Sequence, residues 1–513
     1  KLQFQKSNAI AVAFLVSPIM MAQAMSNIHI STNQEIIKRM MKIDSTTFVW
    51  LNNIEVIIGA TMATFASKLG EKFGIALIIT LGLTIYSFAN MLFLLPGFDS
   101  NFGVAVSFRG ISAVGQGLMM PSIMPMALLF VPREKSGIVI NILSCVTPGG
   151  AIVSAMVSGI VAEKLGWQYM CFFIGLIAAI IVVLLLIFVP YKNIPKNPKA
   201  QFDAPGSVLF AASLFCIVFG LLALKGMLFM PIAALLLIFG IILMLIFVGY
   251  NNYFSKHPTF DKFLFNTNYL RVFACNLMIG IPNNIVRQVG TWHLYDPSMV
   301  GAQLMPYMIA IGLTSSFLIA PIVSRLSKKM IMKNILMIFS TSAIVSLVLN
   351  FCQLMNWISK PRELKVFLDV FAMFISCGCQ IGSSVILSTI LFLTVEKRCQ
   401  SQIGVMNNVL SNLNQLFGQS LAFLLQEKLM EQDLKSNQMM GAIEGVATGL
   451  ILVFFLIAMS LNVYDFEKGK CGYKKIEKET NQVVEESDTE KVPLLQEETK
   501  QEGQPQIEEK KYT

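Results

Sequence analysis

Long apolar runs, broken by short polar islands, fill the chain from residue 8 to residue 463. Many of the runs reach the length of about twenty residues that a helix needs to cross roughly 30 Å of hydrocarbon. Fourteen candidate spans follow, near residues 8–25, 47–66, 74–95, 101–131, 137–161, 168–190, 206–224, 228–249, 270–286, 301–323, 333–355, 364–394, 402–425 and 440–463. In the ninth, Pro282, Asn283, Asn284 and Arg287 are expected to break the end of the helix. The period-two alternation of a membrane barrel does not occur. The pattern therefore predicts an all-α, polytopic membrane protein.

Composition agrees with this. Fifty-five percent of residues are hydrophobic and 13% are charged, against about 25% charged in a soluble domain. Residues 8–25 have the look of a signal peptide, but no A-x-A site follows, so they are read as the first span. Cys145, Cys171, Cys216, Cys275, Cys352, Cys377, Cys379, Cys399 and Cys471 are scattered, mostly inside apolar runs, with no CxxC pair. No metal and no cofactor is expected. The net charge of +9 sits in short loops between spans and is not a nucleic-acid footprint.

Cation bias sets an expected orientation. With residues 1–7 in the cytoplasm, the cytoplasmic loops carry more Lys and Arg than the opposite loops. The bias is clearest in "SRLSKKMIMKN", with Arg325, Lys328, Lys329 and Lys333 and no acid. An even number of spans then returns the C-terminus to the cytoplasm. Residues 464–513 are rich in Glu, Lys and Gln and poor in aromatics, the composition of a disordered tail. Within it, Glu490, Leu494 and Leu495 match the acidic-dileucine pattern read by eukaryotic endosomal sorting adaptors. That pattern points to the plasma membrane or an endosomal or vacuolar membrane of a eukaryote, with such an adaptor as a possible partner.

One polar island is written twice. "FASKLGEKFG" carries Ser67, Lys68, Gly70 and Lys72, and "IVSRLSKKMI" carries Ser324, Arg325 and Lys329 at matching offsets. Transporters are often built from two halves in parallel, each with its own copy of such a hairpin. The first copy follows span two and the second follows span ten. That placement fits a six-helix bundle over 1–200, a central helix pair over 201–250, a second six-helix bundle over 251–463, and the tail.

At this point the chain resembles the major facilitator superfamily, and within it the fourteen-span drug:proton antiporter branch. The family loop G-x-L-a-D-R-x-G-R-K is similar to residues 63–72, with Ser67 in the acidic place and Glu71 in place of a cation. In the family these charges form a gate against the neighbouring half. "FRGISAVGQGLMMPS" resembles R-x-x-Q-G-x-g-a-a…P, with Arg109 retained and Ser112 and Ala113 where Gln and Gly are usual. "GAIVSAMVSG" is similar to g-x-x-x-G-P-x-x-G-G. It keeps Gly150 and Gly159 and puts Ser154, Ala155 and Ser158 at the other small positions, as close helix packing requires. "LGWQYMCFF", "QFDAPGSVL" and "HPTFDKFLF" resemble further family segments in the family's order. In span one the antiporters carry L-D-x-T-I-V-N, whereas "MAQAMSN" has Ala22 in the acidic place and keeps Asn27.

The charges inside the spans are the candidates for chemistry, because a buried charge is costly. Glu55 lies well inside span two and Arg109 inside span four. A membrane-embedded carboxyl can carry a proton, and an adjacent Arg can answer its charge or hold an anion. Asp369 and Glu444 lie near span ends and are expected in a solvated mouth. Asn408, Asn412 and Gln415 form a polar stripe on span thirteen, and Gln23 and Asn27 add polarity from span one. The resulting expectation is a non-enzymatic, monomeric carrier of small organic solutes and protons in the lipid bilayer, working by alternating access as an antiporter. A proton-independent carrier of nutrients or metal chelates is the second reading. A transport-inactive receptor or scaffold is the third. No P-loop, HExxH or GxSxG motif supports ATP-driven or hydrolytic chemistry.

Overall fold

The structure is a computed structural model. It describes residues 8–430, except 96–100, 130, 132, 190, 195, 197–202, 224–229, 256–257, 262–263, 265–266, 296–304, 327–331, 355–361 and 395–399, and also residues 443, 445–450 and 453. Most of the fourteenth predicted span, Glu444 and the sorting motif Glu490, Leu494 and Leu495 lie outside the described residues.

Each of the first thirteen predicted spans is a helix. They are α1 (Asn8–Thr32), α3 (Ser45–Phe73), α4 (Ile75–Met91), α5 (Phe102–Leu129), α6 (Arg133–Lys164), α7 (Trp167–Phe188), α8 (Ala204–Ala223), α9 (Met230–Gly249), α10 (Thr267–Tyr295), α11 (Met305–Leu326), α12 (Met332–Leu354), α13 (Arg362–Thr394) and α14 (Gln400–Met430). Seven of the described helices are long and apolar enough to cross a membrane by length and composition alone. The short helix α2 (Gln34–Met41) was not foreseen. It is amphipathic, burying Ile37 and Met41 while Arg39 and Met40 face out. Its eight residues were too few for a span search to register.

Three expectations about helix ends are corrected. The ninth span does not stop at Pro282: α10 runs on to Tyr295. The polar residues that suggested a break are absorbed by bonds, with Asn284 donating to the Gly280 carbonyl at 2.9 Å and Asn283 to the Ser376 carbonyl of α13 at 2.8 Å. The first charged island is helical rather than a loop. Ser67 is buried, Gly70 is buried, Lys68 faces Glu71 at 3.7 Å, and Lys72 lies 5.6 Å from the Phe73 ring centroid. The turn itself is the single residue Gly74, at φ 101°, a conformation that suits glycine. In the second island Arg325 is exposed in the last turn of α11, while the Ser324 side chain and Lys329 lie outside the described residues. Finally, Asp369 is not in a solvated mouth: it is 2% exposed, because the first turns of α13 are already packed against neighbouring helices.

Small residues decide how closely the helices approach. A Cβ on Gly117 of α5 would meet the Gly59 carbonyl of α3 at 2.6 Å, and one on Gly82 of α4 would meet the Gly115 carbonyl of α5 at 2.6 Å. Thus α5 is wedged between α3 and α4 with backbones in contact, which small residues permit. The stripe on α6 works in the same way against α1. Gly150 faces the Met21 carbonyl, Ser154 donates to the Met25 carbonyl at 2.8 Å, and Ser158 lies 3.2 Å from the Thr32 hydroxyl. Ala155 is buried, whereas Gly159 has open space before it.

Gly115→Val is therefore expected to lower stability by about 1–3 kcal/mol through overpacking. Gly159→Ala should leave it within about 0.5 kcal/mol of the parent. Thermal unfolding of the purified protein in detergent measures both. Equal melting temperatures for the two variants would show that the α4–α5 crossing does not depend on its glycines.

Candidate functional site

Successive membrane helices run in opposite directions, so the end of α1, the start of α3, the end of α4 and the start of α5 lie on one side. Ser26, Glu55, Tyr86 and Arg109 each lie roughly 8–15 Å from that end by helical rise. The α3–α5 crossing then brings two of them into contact. Arg109 Nη1 lies 2.8 Å from Glu55 Oε1, with side chains 0% and 1% exposed. The same Nη1 donates to Ser26 Oγ of α1 at 2.8 Å, and Ser112 Oγ of α5 donates to Glu55 Oε1 at 2.8 Å. Above Ser26, the Tyr86 hydroxyl donates to the Ala22 carbonyl at 3.4 Å.

Apolar residues seal the pair from the near end. Ile37 and Met41 of α2, Phe48 and Leu51 of α3, Phe93, Trp167 and Cys171 form one cluster. His29, one turn beyond Ser26, is held there by the Trp167 carbonyl at 2.8 Å. Inside this seal the pair is only partly satisfied. Glu55 Oε2, Arg109 Nε and Arg109 Nη2 have no hydrogen-bond partner among the described residues. A buried ion pair contributes little net stability, because desolvation offsets much of the attraction. Chemically, Glu55 keeps one oxygen able to take a proton, and Arg109 keeps N–H groups able to hold an anion.

The remaining predicted residues are arranged differently. Gln23 and Asn27 of α1 are half-buried, flanking Ser26 in sequence. Asn408, Asn412 and Gln415 of α14 are also half-buried. The amides of α14 that bond to α10 lie one position away. Asn407 Oδ1 accepts from Asn276 of α10 at 3.4 Å, and Asn414 donates to Asn276 Oδ1 at 3.1 Å. Both stripes share the spacing of seven, and nothing in the sequence marks which one meets α10. Sequence reasoning also missed Ser26, Ser112 as a ligand of Glu55, and His29. Isolated hydroxyls in apolar helices give no signal until a charge is placed beside them.

The arrangement of helices and its motifs can be compared with known proteins. The sequence profile of the Major Facilitator Superfamily matches residues 9–423. The chain belongs to the Major Facilitator Superfamily. Riboflavin transporter RibZ of Clostridioides difficile is 27% identical over 310 residues, 60% of this chain and 65% of RibZ. The tetracenomycin C resistance and export protein of Streptomyces glaucescens is 25% identical over 176 residues, 34% of this chain and 31% of that protein. The chain spans between about a third and two thirds of the length of the curated relatives it matches. Among solved structures, the proton:xylose symporter XylE aligns with a TM-score of 0.58 at 12% identity, over 88% of this chain and 97% of XylE. That likeness shows a shared fold.

Removing either partner of the pair leaves the other charged and buried. Glu55→Ala and Arg109→Ala are each expected to destabilise the protein by about 3–5 kcal/mol. The double variant should lose clearly less than the sum, because the pair acts as a unit. Unfolding curves for all four proteins measure the coupling, and strict additivity would show that the two side chains do not interact in the membrane.

Proposed function

We propose that this protein moves small organic solutes across a membrane by alternating access, in exchange for protons carried by Glu55. The observation that carries this reading is the sealed and incompletely satisfied Glu55–Arg109 pair. While Glu55 is ionised, it binds Arg109 through Oε1. A proton arriving at the free Oε2 neutralises the carboxyl and leaves Arg109 with Ser26 alone. The charge that ties α3 to α5 is then gone, and α3 is free to move against the α1–α5 pair. A solute that engages Arg109 or the same helices competes with the ionised pair, so solute and proton load alternately. Two states that differ in one buried charge suit such a cycle, because the switch biases them through differential interaction.

The architecture that accompanies this reading is two six-helix bundles about the central pair α8–α9, with both termini cytoplasmic and the islands at the ends of α3 and α11 as gates. Ala22, at the position where the antiporter pattern has its acid, is buried and 3.4 Å from the Tyr86 hydroxyl. Glu55 thus takes the coupling role from the next membrane helix. Riboflavin and tetracenomycin C, named for the relatives, join lipophilic cations as the first solutes to screen.

In proteoliposomes with a pH dye inside, solute addition should drive proton movement in the parent. Glu55→Gln should reduce that movement at least tenfold, since the amide cannot take up and release a proton. Solute movement with no proton flux, unchanged in Glu55→Gln, would replace antiport with proton-independent transport.

A further inference from the structure

The central pair takes no part in the proton site, yet the segments that flank it, before α8 and after α9, carry a series of linked contacts. It begins at Asp203, just before α8, which is 7% exposed. Asp203 Oδ1 accepts from the Gly206 amide at 3.0 Å and the Tyr250 hydroxyl at 3.3 Å. Its Oδ2 accepts from Ser255 at 2.8 Å and Thr259 at 3.3 Å. One carboxylate thus gathers the start of α8, the π-turn that ends α9 (Tyr250–Phe254) and the segment beyond. Any side chain on Gly206 would collide with that carboxylate.

The next link is Asn251. Its amide grips Phe260 from both sides, Nδ2 donating to the Phe260 carbonyl at 2.8 Å and Oδ1 accepting from the Phe260 amide at 3.1 Å. The Phe260 ring packs against Phe210 of α8 at 5.0 Å and Phe247 of α9 at 6.1 Å. The last link is another two-way grip, now onto α14. The Asp261 amide donates to Gln402 Oε1 at 2.9 Å, and Gln402 Nε2 donates to Asp261 Oδ2 at 3.3 Å. Two residues further along α14, Gly404 lies so close to the Pro121 carbonyl of α5 that no side chain fits between them.

We propose that this chain, from Asp203 through Asn251 and Phe260 to Asp261 and Gln402, is a latch by which the central pair holds the first turns of α14 against α5. That α5 and α14 belong to opposite moving halves rests on the proposed architecture; the latch itself does not. In that setting the α5–α14 crossing separates only when the latch yields. The neutral bonds among these, the two from Asn251 to Phe260 and the one from the Asp261 amide to Gln402, suit the task, since each shifts a local equilibrium by roughly tenfold. They can therefore bias a conformational balance and still break in every cycle. The central helices are then a control element for α14, beyond their role as a spacer.

Hydrogen–deuterium exchange on the full-length protein in lipid nanodiscs tests this with Asn251→Ala and Gln402→Leu. Asn251 bonds to Phe260, and the next residue, Asp261, carries the contact on to α14. In both variants the amides from Gly404 to Leu410 should exchange about tenfold faster, with α1 and α7 unchanged. Acceleration in Asn251→Ala confined to residues 250–261 would overturn the latch. Equal acceleration throughout α1 and α7 would also overturn it, because it would mark general loosening. The measurement needs no solute, so the latch can fail while proton coupling stands, and the reverse.

Discussion

A carboxylate and a guanidinium held away from water must find all their partners within the protein, and around Glu55 and Arg109 that demand shapes the first seven helices. The 2.8 Å contact between them requires α5 to approach α3 almost backbone to backbone. Gly117 makes room on that side and Gly115 makes room for α4 on the other. The α6 stripe then brings α1 close enough for Ser26 to reach Arg109. Amphipathic α2 and the aromatic cluster around Trp167 shut out water from the near end. Each packing feature reads as a condition for keeping one ion pair dry, and the three polar atoms left without partners mark where that arrangement is incomplete.

Much of this was legible in the sequence. Apolar runs are long and the hydrocarbon requirement is strict, so thirteen helices could be placed, with α1, α3 and α10 running seven to nine residues past the expected ends, and Glu55 and Arg109 stood out as charges in the wrong solvent. Helix ends were harder. The run after Pro282 was read as broken by the proline and the polar residues beside it, but in α10 Asn283 bonds to α13 while Arg287 bonds to Asn284 one turn back. Asp369 was misread for the same reason, since distance from a helix end says nothing about what covers that end. On α14, choosing between Asn408 and Asn407 as the start of the bonded stripe needs the rotation of the helix about its own axis. Hydropathy does not supply that rotation when both faces carry polar groups.

The two parts of the chain solve the problem of buried polarity in different ways. Around α3 and α5 the solution is ionic, with two opposite charges and hydroxyls as supports. Where α10 meets α14 it is neutral, built from Asn276, Asn407 and Asn414, with the Asn276 amide donating to Asn407 and accepting from Asn414. Neutral amide contacts carry far less desolvation cost than charges, and their strength does not change when a proton is taken up or released. In the proposed cycle protonation acts first on α3 and α5, and the packing of Leu416 with Val56 and Ile57 links that region to α14.

Gly74 gives this asymmetry a mechanical side. With α3 ending at Phe73 and α4 beginning at Ile75, there is no slack between the two helices. In the proposed cycle a twist of α3 set off at Glu55 passes to α4 through this one-residue joint. Gly166 makes a similarly short joint between α6 and α7. The mechanism proposed above would then turn helices in pairs, so that a small rearrangement at one carboxyl is leveraged over the whole length of a hairpin.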